Sequence, residues 1–147
     1  MEGFNYDNIF ALNRIGKNEM LEGGQSITVG NEYKIYDKKN GNNELFSFNL
    51  ATMFRDKKNL KLPKSSRLGE KTSDIVGGMK FKTNKFVDFS YEFSLDNNFE
   101  DINYNSVDTT ISVNNFVTTF EFMEKSNVLG SESYVSNNTT LNFDDNN

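Results

Sequence analysis

The feature of this sequence that most restricts its fold is a repeated alternation of apolar and polar residues. The clearest run lies at 86–96, where the apolar residues Val87, Phe89, Tyr91, Phe93 and Leu95 alternate with Asp88, Ser90, Glu92, Ser94 and Asp96. Successive side chains of a strand point to opposite faces, so period-2 alternation predicts strands with one apolar and one polar face. Runs of about ten to twelve residues exceed the usual globular strand and match the length that crosses a bilayer with tilt.

The alternation divides the chain into seven strands. We predict them at 25–36, 44–55, 73–83, 86–96, 101–113, 116–124 and 133–143. Residues 1–24 form an irregular lead-in, in which Asp7 to Ile15 is a short helical turn or a loop packed by its own apolar side chains. The apolar phase slips near Asn105-Ser106, and this slip predicts a β-bulge. Gly77-Gly78 predicts a bend or the close approach of a neighbouring strand.

The connections between the predicted strands alternate in length. Tight turns are expected near 40, 84, 114 and 145, and looser loops at 56–72, around 98 and at 125–132. Outer-membrane barrels have this asymmetry, with short turns on one side and long loops on the other. The smallest such barrels have eight strands, so seven strands in an antiparallel up-and-down meander predict a slice of a large transmembrane β-barrel.

The composition agrees with a sheet that has one face in contact with water. Only 35% of residues are hydrophobic and mean hydropathy is −0.66, which is low for a thick core but suits a wall facing an aqueous lumen. No stretch approaches the ~18 apolar residues of a membrane helix. No signal peptide is visible in the first residues, and we therefore expect this chain to be an internal piece of a longer exported protein.

Charge and residue content exclude several function classes. The net charge of −5 argues against a nucleic-acid partner. The absence of His and Cys removes the common nucleophile–base pairs and a Cys-ligated zinc site. Asp88 and Glu92 share one strand face but lie roughly 13 Å apart along the strand, too far for a glycosidase pair. We expect no enzyme activity, no cofactor and no metal.

The polar faces of the strands supply the candidate functional residues. Eight polar side chains are expected to face the barrel lumen: Thr28, Glu32, Lys34, Lys80, Lys82, Asp88, Ser90 and Glu92. Lys80 and Lys82 are candidate contacts for phosphate groups, although a generic hydrated wall is the simpler explanation for them.

Four stretches, in order, carry more specific information than the alternation does. The first is Asn8-Ile9-Phe10-Ala11-Leu12-Asn13-Arg14, followed by Glu22-Gly23-Gly24 and a strand containing Gly30. The second is Phe48 to Arg55, and the third runs from Leu62-Pro63-Lys64-Ser65-Ser66 to a "SDxVG" segment at Ser73 to Gly77. The fourth is a "GxxSYxSN" stretch at Gly130 to Asn137. In this order and spacing, the four stretches resemble the barrel domain of the LptD (OstA) family of lipopolysaccharide-assembly proteins. The sequence departs from the family at Ala51-Thr52, where many members have Gly-Gln.

The resemblance implies a single segment, 1–147, of the family's C-terminal barrel in the Gram-negative outer membrane. It also implies a role in assembling lipopolysaccharide into the outer leaflet. The implied partners are lipopolysaccharide, an LptE-like plug lipoprotein, outer-membrane lipid and, through an N-terminal domain absent from this sequence, a periplasmic LptA-like bridge.

Two other interpretations fit the alternation alone. One is a different outer-membrane barrel, such as a porin-like channel. The other is a soluble β-sandwich used for binding or adhesion, in which the Phe-rich faces would be sealed between two sheets.

Overall fold

The seven expected strands form one antiparallel sheet. The computed structural model describes residues 4–11, 24–39, 41–62, 67–83, 86–127 and 130–141. In chain order the elements are α1 (Tyr6–Ile9), β1 (Ser26–Asp37), β2 (Asn43–Arg55), β3 (Ile75–Thr83), β4 (Val87–Leu95), β5 (Ile102–Val113), β6 (Phe116–Asn127) and β7 (Gly130–Leu141). Each strand pairs with the next one in sequence. The predicted all-β meander is therefore confirmed.

The register of the strands separates two faces. Phe81 of β3 lies between Phe46 of β2 and Phe89 of β4, and Met79 lies between Phe48 and Tyr91. We call this side the apolar face. It comprises the residues of β4 listed here and those beside them in the register: Val87, Phe89, Tyr91, Phe93 and Leu95. The opposite side, with Asp88, Ser90, Glu92, Ser94 and the residues beside them, is the hydrophilic face.

Two local predictions were wrong. The irregularity in β5 lies opposite Ser94 and Leu95, which pair with Tyr104 and Ile102, and not at Asn105-Ser106. Tyr104 is on the hydrophilic face, and this placement accounts for the apparent slip of the apolar phase. The loop expected at 125–132 is mostly strand, because β6 continues to Asn127 and β7 begins at Gly130.

The buried core lies on the hydrophilic face, at the end where the long connections are. Ile9 of α1 packs there with strand and loop residues, and the whole cluster is Ile9, Ala51, Met53, Leu62, Leu68 and Val76. The helical turn predicted in the lead-in is thus present at Tyr6–Ile9, but its apolar side chain is buried against the sheet. Leu12 and Ile15 lie outside the described residues. No helix in the described part of the chain is long and apolar enough to cross a membrane.

The connection between β2 and β3 is fastened to the end of β2. Arg55 Nε donates to the Leu68 carbonyl at 3.1 Å, and the Arg55 amide donates to the Lys71 carbonyl at 2.7 Å. The Asn59 amide donates to the Gly69 carbonyl at 2.8 Å. These bonds give the described parts of this long connection a defined shape rather than leaving it to extend into solvent.

Candidate functional site

The apolar face is exposed along most of its length. Ile27 is 65% exposed, Tyr33 58% and Phe120 43%, even though each has apolar neighbours on the same face. Helix α1 and the buried core lie on the other side of the sheet, and the described strands form a single layer. A monomeric soluble protein rarely exposes so extensive an apolar surface. The β-sandwich interpretation, which needs a second sheet over Phe89, Phe93 and Phe120, is not supported.

All eight candidate lumen residues lie on the hydrophilic face. The register places Lys34, Ser47, Lys80 and Ser90 in one row across β1 to β4. Glu32 and Glu92 belong to the adjacent row, Thr28 pairs with Met53, and Lys82 pairs with Asp88. The strand order thus places in one row residues that are up to 60 positions apart in the sequence, Glu32 and Glu92.

Charges on this face are interleaved. Lys34 Nζ lies 2.9 Å from Glu32 Oε1 and 3.6 Å from Glu44 Oε2. On β4, Ser90 Oγ donates to Asp108 Oδ2 of β5 at 3.4 Å. A shallow depression of about 260 Å³ has a lining that includes Lys80, Lys82, Asp88, Ser90, Asp108 and Thr110. Exposed pairs of this kind contribute little stability, so their main effect is to keep the surface hydrated.

Helix α1 lies over part of the candidate site, a contact that the alternation could not reveal. A capping box fixes the helix start, since Asn5 and Asn8 exchange side-chain-to-backbone hydrogen bonds of 3.0 and 3.1 Å. The Asn5 side chain also hydrogen-bonds Glu92. Burial, assisted by the Glu32 charge, raises the pKa of Tyr6 above its ordinary value. The lead-in therefore hydrogen-bonds Glu92 and lies within the electrostatic influence of Glu32.

An ionic cluster of half-buried Arg67 and two buried carboxylates joins the two long connections. Arg67 Nη1 lies 2.9 Å from Asp96 Oδ1, and Arg67 Nε lies 3.8 Å from Asp74 Oδ1. Asp74 Oδ2 accepts from Asn103 Nδ2 at 2.7 Å and from Ser94 Oγ at 3.3 Å. Burial raises the pKa of Asp74, and these partners oppose the shift. Sequence reasoning missed this cluster, although an acidic residue directly before a strand in the "SDxVG" segment was a signal for it.

The described residues form a sheet with one apolar and one hydrophilic face. Among the described residues, no group of three carboxylates is placed to hold a metal ion. The lysines and carboxylates of the hydrophilic face lie across several strands instead of converging on one point. Such a sheet is suited to separate an apolar medium from an aqueous one.

Comparison with known protein families identifies a family that matches the chain. A family model described as LptD, LPS transport system D, matches residues 3–145, nearly the whole chain. No curated protein and no solved structure matches the chain. The match covers α1 and all seven strands.

Proposed function

Because the chain belongs to the LptD family of LPS transport, we propose that it forms part of the wall of an outer-membrane barrel that assembles lipopolysaccharide into the outer leaflet. The apolar face contacts lipid hydrocarbon, and the hydrophilic face lines the aqueous lumen. In this role the chain is a transport component and not an enzyme.

The observation that carries the proposal is the position of the buried core. The apolar side chains that the described chain itself buries lie on the hydrophilic face, whereas the Phe-rich face stays exposed. Burying one large apolar side chain contributes about 1.5–3 kcal/mol. A face with many such side chains is therefore unfavourable in water and favourable in contact with acyl chains.

The hydrophilic face supports the second half of the proposal. Thr28, Glu32, Lys34, Lys80, Lys82, Asp88, Ser90 and Glu92 would lie in hydrocarbon if the sheet were inverted, at a high free-energy penalty for the charged ones. Facing the lumen, they remain hydrated. They can also meet the charged head group of lipopolysaccharide or an LptE-like plug protein, while an LptA-like bridge would deliver the lipid from the periplasm.

Nitroxide labels on neighbouring residues test the orientation. The chain has no natural cysteine, so single cysteines can be introduced for labelling. The pairs Phe81 and Lys82, and Phe120 and Glu121, are adjacent on one strand and all four residues are exposed. In the membrane-inserted protein, labels at 81 and 120 should collide with lipid-dissolved oxygen, and those at 82 and 121 with a water-soluble nickel chelate. The reverse pattern would contradict the proposal.

A further inference from the structure

The most basic segment of the chain is the connection between β2 and β3. Residues 56–72 contain six of the 16 Lys and Arg residues but only two of the 21 Asp and Glu residues. This segment therefore has a net charge of +4 in a chain whose net charge is −5. Charge separated in this way attracts anions to one place on an otherwise acidic molecule.

A cleft lies between this connection and the loop that joins β4 to β5. It has a volume of about 580 Å³, and its lining includes the cations Lys58, Arg67 and Lys71 together with Asn97 and Asn98. Both connections lie at the same end of the sheet, because each follows an even-numbered strand of an antiparallel meander. Lys and Arg donate charge-assisted hydrogen bonds to phosphate, and Asn amides can both donate to and accept from hydroxyl groups.

The cleft is held open by buried groups below it. Arg67 is fixed by Asp96 and Asp74, and Leu62 and Leu68 anchor the connection in the core. Lys58 lies beside Glu70, with Nζ 2.5 Å from Oε2. Lys58 and Lys71 are nevertheless exposed. A preorganised site loses less conformational entropy when a ligand binds.

Two residues at the cleft have backbone conformations that side chains rarely adopt. Arg67 has φ +48°, and Phe99, directly after Asn98, has φ +61° with its ring 69% exposed. A bulky residue in the left-handed region is strained and persists where the surrounding structure enforces it. The contacts with Asp74 and Asp96 hold Arg67 in this conformation. The exposed Phe99 ring directly follows Asn98, which lines the cleft.

We propose that this cleft binds a phosphorylated saccharide. The inference rests on the proposed function in one respect: the sugar is either that of the transported lipopolysaccharide or that of lipopolysaccharide already in the surrounding leaflet. The shared chemistry is a sugar with phosphate groups, which the lysines recognise by charge and the asparagines by its hydroxyls.

A binding experiment on the natural protein in its membrane-inserted form tests the inference. The probe is deacylated, water-soluble lipopolysaccharide sugar, and the same sugar without its phosphates is the first control. We expect at least tenfold weaker binding of the dephosphorylated sugar and of inorganic phosphate alone. Affinity should fall as ionic strength rises, because salt screens exposed charges. Equal binding of the dephosphorylated sugar or of inorganic phosphate would overturn the inference.

The double variant Lys58→Gln, Lys71→Gln tests the location. Lys38→Gln, Lys39→Gln removes the same charge from exposed lysines at the opposite end of the sheet and is the matched control. We expect at least a tenfold loss of affinity in the first variant and less than a twofold change in the second. Equal losses would show general charge attraction and overturn the site.

Two further measurements separate the sources of the sugar and the two proposals. In cells, a crosslinker at position 71 tests which lipopolysaccharide the cleft binds. Capture that stops when transport stops would identify the transported molecule, and capture that continues would identify lipopolysaccharide of the leaflet. Capture in neither condition would overturn the inference. Surface display of lipopolysaccharide tests the proposed function by itself. Normal display without saccharide binding overturns only the cleft, whereas unaffected display after the whole protein is depleted overturns the proposed function.

Discussion

Phe93 of β4 lies directly opposite Gly77 of β3, and its ring occupies the space next to the Gly77 Cα. A Cβ built on Gly77 would lie 2.7 Å from Phe93 Cζ and 2.7 Å from the Asn49 carbonyl oxygen. The ring thus takes the place of the missing side chain on the apolar face. This close approach of neighbouring strands is one of the two roles that the sequence predicted for Gly77-Gly78.

Gly77→Ala should destabilise the sheet by about 1–3 kcal/mol, because overpacking forces shifts in neighbouring groups. The ring could rotate away, but the Asn49 carbonyl is part of the β2 backbone and cannot. Unfolding of the membrane-inserted protein by denaturant measures the effect, with Ser133→Ala on exposed β7 as the control. An unfolding midpoint equal to that of the natural protein would contradict the tight contact.

Gly30→Val should displace α1 without unfolding the sheet. A Cβ at position 30 would lie 2.6 Å from Phe10 Cζ, but 3.1 Å from Ala51 Cβ and 3.3 Å from the Leu50 carbonyl oxygen, so the severe clash is with Phe10. Phe10 is 52% exposed and has room to swing outward. The expected result is faster amide hydrogen exchange in residues 5–11, with strand protection unchanged. Phe10→Ala, which removes the obstructing ring, should restore slow exchange when combined with Gly30→Val. Loss of strand protection would mean that the clash is absorbed by the sheet.

Leu68→Ala and Leu60→Ala should differ sharply although both lie in the same connection. Leu68 is 1% exposed in the core, and Leu60 is 88% exposed. A buried Leu→Ala change leaves a cavity and destabilises by about 2–5 kcal/mol, whereas a surface change stays within about 0.5 kcal/mol. Free energies of unfolding measure both. Similar values for the two variants would place the core elsewhere.

Asp74 should make stability depend on acidity in an unusual direction. Burial raises its pKa above the ordinary 3.8, so the folded state holds the proton more tightly than the unfolded chain. Its contribution to stability is therefore fully present below pH 3.8 and is lost as pH rises through the folded pKa. Measured from pH 3 to pH 7, the natural protein should lose stability relative to Asp74→Asn.

The control for this prediction is Asp88→Asn, since Asp88 is exposed on β4. This variant keeps Asp74. Its free energy of unfolding should therefore fall relative to that of Asp74→Asn between pH 3 and pH 7, as that of the natural protein does. A flat difference between the natural protein and Asp74→Asn across the whole range would rule out a raised pKa.

Most of the sheet could be predicted because each strand carries its own signal. Phe116, Phe120 and Phe122 alternate with more polar residues, and this local pattern is enough to place β6 and its two faces. The boundaries were less certain where polar residues extend a strand, as Lys125 and Ser126 do in β6. These residues have no apolar phase to read, and their place in the ladder depends on pairing with Glu132 and Ser131 of β7.

The functional surfaces divide in the same way. The eight residues of the candidate set could be assigned to one face, since parity along each strand and a meander order suffice to align them. The Arg67, Asp74 and Asp96 cluster could not be predicted, because its members lie up to 29 positions apart in connections without periodicity. Only the folded paths of those connections bring the three side chains together.

The sequence alone determined the strands, their order and the separation of an apolar from a hydrophilic face, because side-chain direction in a strand is a local property with a period of two residues. The tertiary structure decided which face the chain covers itself. Helix α1 and the β2–β3 connection pack on the hydrophilic face. There they contact an apolar patch at one end of the sheet, formed by Ala51, Met53 and Val76. That choice depends on the summed burial of residues from distant segments, and no local pattern contains it.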